Sequence, residues 1–413
     1  MKTAAKLLFL ISLMAMFAVA QTPPIQHVII IIQENRSPDN LFGSDAATHQ
    51  KLPNAHLATY GLCQNIGFSS EPQINLTPFK LAACFDPDHS HNPAWNTTWD
   101  GGAMDGACKT NVTAGSGCQQ QLTKCSDPQW APYCPQYTYV TNATLTGYHS
   151  GSHILDPYFQ IAQDYGFANY MFQTNQGPSF PAHQFLFSGT SAPDKKSDSQ
   201  GFYQYFAGEN PLNSSGGHTP IVGCAGTAGE YVLEVAPSGG ESQGYIPPGF
   251  TAGYPCYDHP TLVDTFGTQV TWKYYNHAPA GNDTPGTTIW TAPNAIRDIC
   301  VPVNGKCTGS EWANVIEPGT ATTYDAAPIL NDLGAGGSRC ALPNVSWVIP
   351  DGNWSDHPGS GSGADGGPGW VAAIVNAVGN LDNDGNPLQQ TPCSDNINGT
   401  NYTYWQDTVV LIT

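Results

Sequence analysis

The run His27-Val28-Ile29-Ile30-Ile31-Ile32 constrains the fold more than any other segment of this chain. Its apolar residues follow neither the two-residue period of a half-exposed strand nor the stripe of an amphipathic helix. It is short, rich in β-branched residues, preceded by Pro23-Pro24 and followed by a polar string. Such a segment reads as a strand covered on both faces, in the middle of a sheet. Val345-Ser346-Trp347-Val348-Ile349 and Thr408-Val409-Val410-Leu411-Ile412 have the same character. Trp370 to Val378 and Pro157 to Tyr165 read as amphipathic helices. Doubly covered strands interspersed with helices specify an α/β protein, a three-layer α/β/α sandwich around a mostly parallel sheet. Two long irregular stretches, 60–140 with half of the cysteines and 195–260 rich in Gly, Ser and Pro, read as insertions pinned by disulfides.

The amino-terminal twenty residues address the compartment. Lys2 and Lys6 precede an apolar stretch from Leu7 to Ala18, and Ala18-Val19-Ala20 fits a small-x-small cleavage site. The reading is a signal peptide over 1–20 and one domain over 21–413, secreted or periplasmic. The alternative, an uncleaved anchor, is disfavoured because the run falls short of the roughly 20 residues of a bilayer span. No second span follows, so stable membrane insertion is not expected. The 12 cysteines agree with export, and disulfides are their default role. No Cys pair stands beside a His pair at zinc-finger spacing, which leaves structural zinc the weaker reading. With 13 Lys+Arg against 32 Asp+Glu, the net charge of −19 excludes a nucleic-acid binder on electrostatic grounds. At 40% hydrophobic and 11% charged residues the chain is too apolar for disorder.

Two places carry residues suited to chemistry. Glu34-Asn35 follow the first buried strand directly. A carboxylate and a carboxamide there supply hard oxygen ligands of the kind that hold Mg²⁺, Ca²⁺ or Mn²⁺. The plain alternative is an ordinary polar loop. Ser179 has Gly177-Pro178 before it and Pro181 after it, which holds the hydroxyl on a stiff turn; the alternative is a solvated turn serine. A Ser-His-Asp triad on a nucleophile elbow is not supported, since Gly-x-Ser-x-Gly fits neither Ser179 nor Ser188.

Gln33-Glu34-Asn35-Arg36-Ser37-Pro38-Asp39-Asn40-Leu41-Phe42-Gly43, taken with the strand before it, resembles the opening motif of the phosphoesterase family that contains bacterial phospholipases C and secreted acid phosphatases. Further segments match in order: Asp86-Pro87-Asp88-His89-Ser90 with Gly101-Gly102-Ala103-Met104-Asp105, then Gly177-Pro178-Ser179-Phe180-Pro181-Ala182-His183, then Thr271-Trp272-Lys273-Tyr274-Tyr275, then Leu342 to Trp347 with Ser355-Asp356-His357-Pro358. The resemblance implies an alkaline-phosphatase-like superfold and a metal-dependent hydrolase of phosphoric esters. It implies one divalent metal ion of the Ca, Mg or Mn type held by Glu34, Asn35 and Ser179. It makes Ser179 the nucleophile, forming a phosphoseryl intermediate. His89, His357 and, more weakly, His277 look like the histidines that hold phosphoryl oxygens and protonate the leaving group, with His91 the fallback for His89 and His183 a packing residue. The family's H-x-P-F histidine has no counterpart where Ala292-Pro293-Asn294-Ala295 stands. In the family an acidic pair follows a strand like Thr408–Ile412 and completes the metal shell; here it would begin where the sequence ends, which reads as a sequence cut short. The implied partner is a small-molecule phosphate ester or a phospholipid headgroup, with a slight preference for acid phosphatase from the acidic balance. The rival reading is a non-catalytic secreted binding protein that keeps the fold.

Overall fold

Strands β1 (His27–Ile31), β2 (Trp272–Tyr275), β3 (Val315–Ile316), β4 (Val345–Val348) and β5 (Thr408–Ile412) form one sheet in a computed structural model of the chain. Their order is β3-β2-β4-β1-β5, and every neighbouring pair is parallel. The structure describes residues 24–43, 52, 55, 57, 60–62, 73–75, 77–79, 85–102, 104, 112–114, 138–145, 151–194, 205–219, 221–244, 246, 249–276, 288–316, 327–335, 340–350, 354–357, 366–382, 385–388 and 390–413.

Strand β1 lies between β4 and β5, with Ile29 level with Ser346 on one side and Val410 on the other. Successive isoleucines therefore face opposite layers. Ile29 and Ile31 join Tyr275 and Val348 in a core shared with helices α1 (Asp156–Asp164) and α3 (Gly367–Val378), through Tyr158, Phe159, Trp370, Val371 and Ile374. Ile30 and Ile32 join Trp272, Tyr274 and Trp347 around Phe187 of helix α2 (Ser179–Ser188). This is the α/β/α sandwich the sequence predicts, and it explains why the isoleucine run has no polar side. Helix α3 begins three residues before the expected Trp370, because Pro368 is tolerated in the first turn, where its missing N–H has no intrahelical partner to lose.

The insertion at 195–260 folds, where described, around a three-stranded antiparallel sheet of Phe206–Ala207, Glu234–Val235 and Glu241–Ser242. Cys224–Cys256 pins it, and Cys300–Cys307 and Cys340–Cys393 close other loops. The six cysteines from Cys63 to Cys134, the segment 1–20 read in the sequence as a signal peptide, and His277 lie outside the described residues. Among the described residues no helix is long and apolar enough to cross a membrane.

One carboxylate of this insertion is held against its charge. Glu230 is fully buried, and burial pushes its carboxyl up to about 9. A Cβ on Gly226 would stand 1.8 Å from Glu230 Oε2, so only glycine allows the carboxyl to lie there. Between about pH 4.5, where the unfolded chain releases this proton, and about pH 9, the folded state keeps it. Stability attributable to the group therefore falls as pH rises through that window, by up to about 1.4 kcal/mol per pH unit. Glu230→Gln is expected to raise stability at pH 7.5 by on the order of 1–3 kcal/mol and to flatten its slope between pH 5 and 8. Denaturant midpoints across that range check it, and an unchanged slope would refute the buried, protonated state.

Candidate active site

The site lies at the carboxyl ends of the parallel strands, where open α/β sheets place their ligands. Gln33 and Glu34 leave β1 there, and Ser37 turns the chain away. Its backbone N–H donates to Asn40 Oδ1 (3.1 Å), while Asn40 N–H donates back to Ser37 Oγ (3.3 Å). With Pro38 in the first turn, this capping box starts the short helix Pro38–Phe42 and leaves Glu34 and Asn35 on the rim of the sheet. Ser37 and Asn40 of the motif thus serve local geometry.

Ser179 comes from a different element. It is the first residue of α2, and the turn before it is fixed by close approach. A Cβ on Gly177 would stand 2.1 Å from the Gly208 carbonyl oxygen, and Asn175 Nδ2 donates to the Gly177 carbonyl (2.6 Å). Asn210 Oδ1 accepts from the Phe180 N–H (2.9 Å), satisfying one amide of the helix start. The expected stiff turn is therefore the entry to a helix, and Pro181 continues it because a first-turn proline forfeits no intrahelical hydrogen bond. Ser179 is buried, and its hydroxyl donates to Glu34 Oε2 at 3.1 Å. Two sequence-predicted residues 145 positions apart thus meet at hydrogen-bond distance. The positive end of the α2 dipole lies at Ser179 and favours negative charge there.

The loop after β4 supplies the third side. Gln33 clamps it with both ends of its amide: Nε2 donates to the Trp354 carbonyl (3.0 Å) and Oε1 accepts from the Asp356 N–H (3.0 Å). Ser355 Oγ donates to the Glu34 carbonyl (3.0 Å) and accepts from the His357 N–H (3.1 Å). His357 is thereby tied to Glu34 through a single hydroxyl. Its ring meets Trp290 edge-on, with centroids 6.3 Å apart. Beneath it, Asp356 is buried and accepts from the Tyr158 hydroxyl of α1 (2.9 Å), which together with burial pushes that phenol well above its ordinary range. A Cβ on Gly367 would stand 2.0 Å from Asp356 Oδ1, so the start of α3 packs directly on this carboxylate. Gln33, Ser355, Asp356 and Tyr158 carried no assignment in the sequence, and three of the four lie inside or beside the matched motifs.

The remaining histidines separate into distinct environments. His89 is exposed on the loop before His91. His91 is buried, its Nδ1 2.5 Å from Glu241 Oε1 and its ring stacked on Trp95. Between that pair and the turn before Ser179 stands Gly208, where a Cβ would lie 3.5 Å from His91 Cβ. Next to it, burial pushes the Glu209 carboxyl up to about 7, against the Asn92 N–H that donates to it (3.1 Å). His183, one turn along α2 from Ser179, is buried with Nδ1 3.3 Å from the Tyr274 hydroxyl. Tyr274 donates to the Trp290 carbonyl (2.6 Å), so at its oxygen His183 Nδ1 is the donor. Burial lowers the His183 pKa and the nearby Glu34 charge opposes it, which leaves a neutral imidazole oriented by Tyr274. The turn Ala292–Ala295 is buried and bears no titratable group, and Gln184 Nε2 of α2 donates to its Ala292 carbonyl (3.0 Å).

The fold is thus a parallel α/β/α sandwich that brings a buried serine hydroxyl onto a carboxylate at its strand ends. The chain belongs to the Phosphoesterase family, whose model matches residues 25–385. None of the curated proteins compared with the chain matches it. Membership makes it a phosphoric ester hydrolase in general, acting on a small-molecule phosphate ester.

Proposed function

We propose that the protein is a secreted, metal-dependent phosphoric ester hydrolase that works through Ser179. The observation that carries this reading is the 3.1 Å contact between the Ser179 hydroxyl and the Glu34 carboxylate, at the start of a helix and at the strand ends. The donors fit a hard divalent cation of the Ca, Mg or Mn type: a carboxylate oxygen and a hydroxyl oxygen lie together, with the Asn35 carboxamide next in sequence. Glu34, Asn35 and Ser179 would hold such an ion, which when bound lowers the pKa of a coordinated hydroxyl and draws charge from phosphoryl oxygens.

The chain's own residues do the rest. Glu34 accepts the Ser179 proton in a hydrogen bond and so aims the oxygen lone pairs away from itself, toward the open rim. The Ser179 proton leaves to solvent, and attack on phosphorus forms the Ser179 Oγ–P bond and breaks the bond to the departing alkoxide, giving a phosphoserine that water then hydrolyses. The helix start stabilises the charge of the phosphoryl group. His357, whose backbone N–H is held by Ser355, is assigned the protonation of the leaving oxygen, and the exposed His89 the holding of phosphoryl oxygens. His277 keeps the weaker assignment to the same phosphate-holding task.

Hydrolysis of p-nitrophenyl phosphate and p-nitrophenyl phosphorylcholine across pH 4 to 8, with and without EDTA, tests the proposal. EDTA-sensitive turnover of either ester is expected; turnover of neither would favour a binding protein that keeps the fold. The diester reading has one observation in its favour: Tyr170, Met171 and Phe172 are 67%, 76% and 71% exposed just before the nucleophile segment, an apolar edge suited to a lipid-bearing substrate. His357→Ala is expected to lower kcat by about 10²–10⁴-fold. Losing the edge contact to Trp290 should cost only about 0.5–1.5 kcal/mol of stability. If stability moves and kcat does not, the ring is structural.

A further inference from the structure

At the opposite rim of the sheet, about 20 Å from Glu34 by strand length, three acidic and imidazole groups meet. His27 opens β1, Asp407 directly precedes β5, and Asp395 comes from the hairpin Ser394–Ile397/Thr400–Thr403. One ligand atom from each lies within 4.8 Å of the others.

The protons in this cluster can be counted. His27 Nδ1 lies 2.8 Å from the Pro343 carbonyl oxygen, which only accepts, so Nδ1 carries the hydrogen. In the neutral ring Nε2 is then a bare lone pair, and it points at Asp395 Oδ2 from 2.6 Å. Asp407 is fully buried, and among the described residues no donor from another residue reaches either of its carboxylate oxygens. With both carboxylates ionised, even a doubly protonated His27 would leave a net negative charge, and the carboxylate of fully buried Asp407 would have no donor from another described residue to compensate it. A divalent cation with neutral His27 and two carboxylates brings the sum to zero. An imidazole whose other nitrogen donates to a backbone carbonyl is the usual arrangement of a metal-ligating histidine.

We infer that His27, Asp395 and Asp407 form a second divalent-cation site, of the Zn²⁺ type, that ties the 394–403 hairpin to the amino ends of β1 and β5. Imidazole nitrogen with carboxylate oxygens is a zinc donor set, and the side chain of Asp395, 37% exposed, leaves a solvent-facing position for a water ligand. Bonds of about 2.0–2.1 Å in a tetrahedral site separate two ligand atoms by roughly 3.3 Å. The hairpin carboxylate must therefore swing outward by several tenths of an ångström, and being on an exposed hairpin it can. The Cys340–Cys393 disulfide anchors the same hairpin two residues before Asp395, so ion and disulfide would hold its base together.

The test uses Zn²⁺ as probe and Glu34→Gln protein, so that binding of the proposed catalytic ion is weakened and is separated from that at His27. Calorimetric titration at pH 7 should show one Zn²⁺ bound, with a rise in Tm, and Asp395→Asn should weaken binding at least tenfold and remove the Tm shift. Binding that is equal in Asp395→Asn overturns the site. Absent binding overturns it, and ¹⁵N imidazole shifts showing His27 protonated on both nitrogens would then identify an ion pair in its place. Loss or retention of ester hydrolysis in the Glu34-intact enzyme reports on the other rim and leaves this result unaffected.

Discussion

Ser179→Ala is expected to lower kcat on the preferred phosphate ester by at least ~10³-fold, equivalent to about 4 kcal/mol of activation free energy. The substitution removes one oxygen from a buried position and leaves the helix start intact, since the turn is held by Gly177 against Gly208 and by Asn210 on the Phe180 amide. What it takes away is the hydroxyl that faces Glu34 at 3.1 Å, and with it the only group of the proposal able to form the covalent phosphoryl intermediate. Stability should change by no more than about 1 kcal/mol, the typical net worth of one hydrogen bond. Single-turnover assays after rapid mixing, with Tm measured on the same samples, separate the two effects. Acid-quenched wild-type protein should carry phosphate on Ser179 and the variant none. Phosphatase turnover retained in the variant would remove Ser179 as nucleophile and leave direct attack by water as the remaining scheme.

The sequence shows the sandwich because its main determinant is local. A run of isoleucines needs no partner information to declare that both its faces are covered, and β1 and β4 are covered as their residues predict, whereas β5, read as covered on both faces, is the edge strand of the described sheet and leaves Val409, Leu411 and Ile412 exposed. Ser179 and Glu34 are legible only through the motifs around them; their meeting is a tertiary fact across 145 residues. The residues that hold the site are less legible still. Ser355 binds Glu34 from 321 positions away, and nothing about a serine in a polar loop announces that its hydroxyl links two strand ends. Asp356 sits between two motif residues, yet its role follows from Tyr158 on a helix 198 positions earlier. The pairing of His27 with Asp395 is the extreme case, spanning 368 positions, and His27 reads in sequence as the mere start of a strand. Proline misled locally: Pro181 looks like a turn residue, but in the first turn of a helix its missing N–H costs nothing.

Glu34→Gln is expected to weaken divalent-cation binding at the catalytic rim by at least tenfold and to lower kcat by about 10²-fold or more. The exchange keeps shape and removes charge, so whatever changes is electrostatic. Hard-cation affinity rises with carboxylate count, and Glu34 is the one carboxylate among the three proposed ligands. The same charge acts on the buried wall behind Ser179, where it opposes the burial that lowers His183 and adds to the burial that raises the Tyr274 phenol. Removing it should lower the His183 pKa further, an effect that imidazole NMR reads without any substrate. Ser179 still finds an acceptor in the amide oxygen of the substituted side chain, so a loss of turnover cannot be put down to a misplaced hydroxyl. Excess Mg²⁺ or Mn²⁺ should restore part of the activity if the charge acts through the cation. A metal titration unchanged from wild type, with His183 shifted as expected, would place Glu34 at the site but outside the metal shell, and the carboxylate would then serve Ser179 as its proton acceptor.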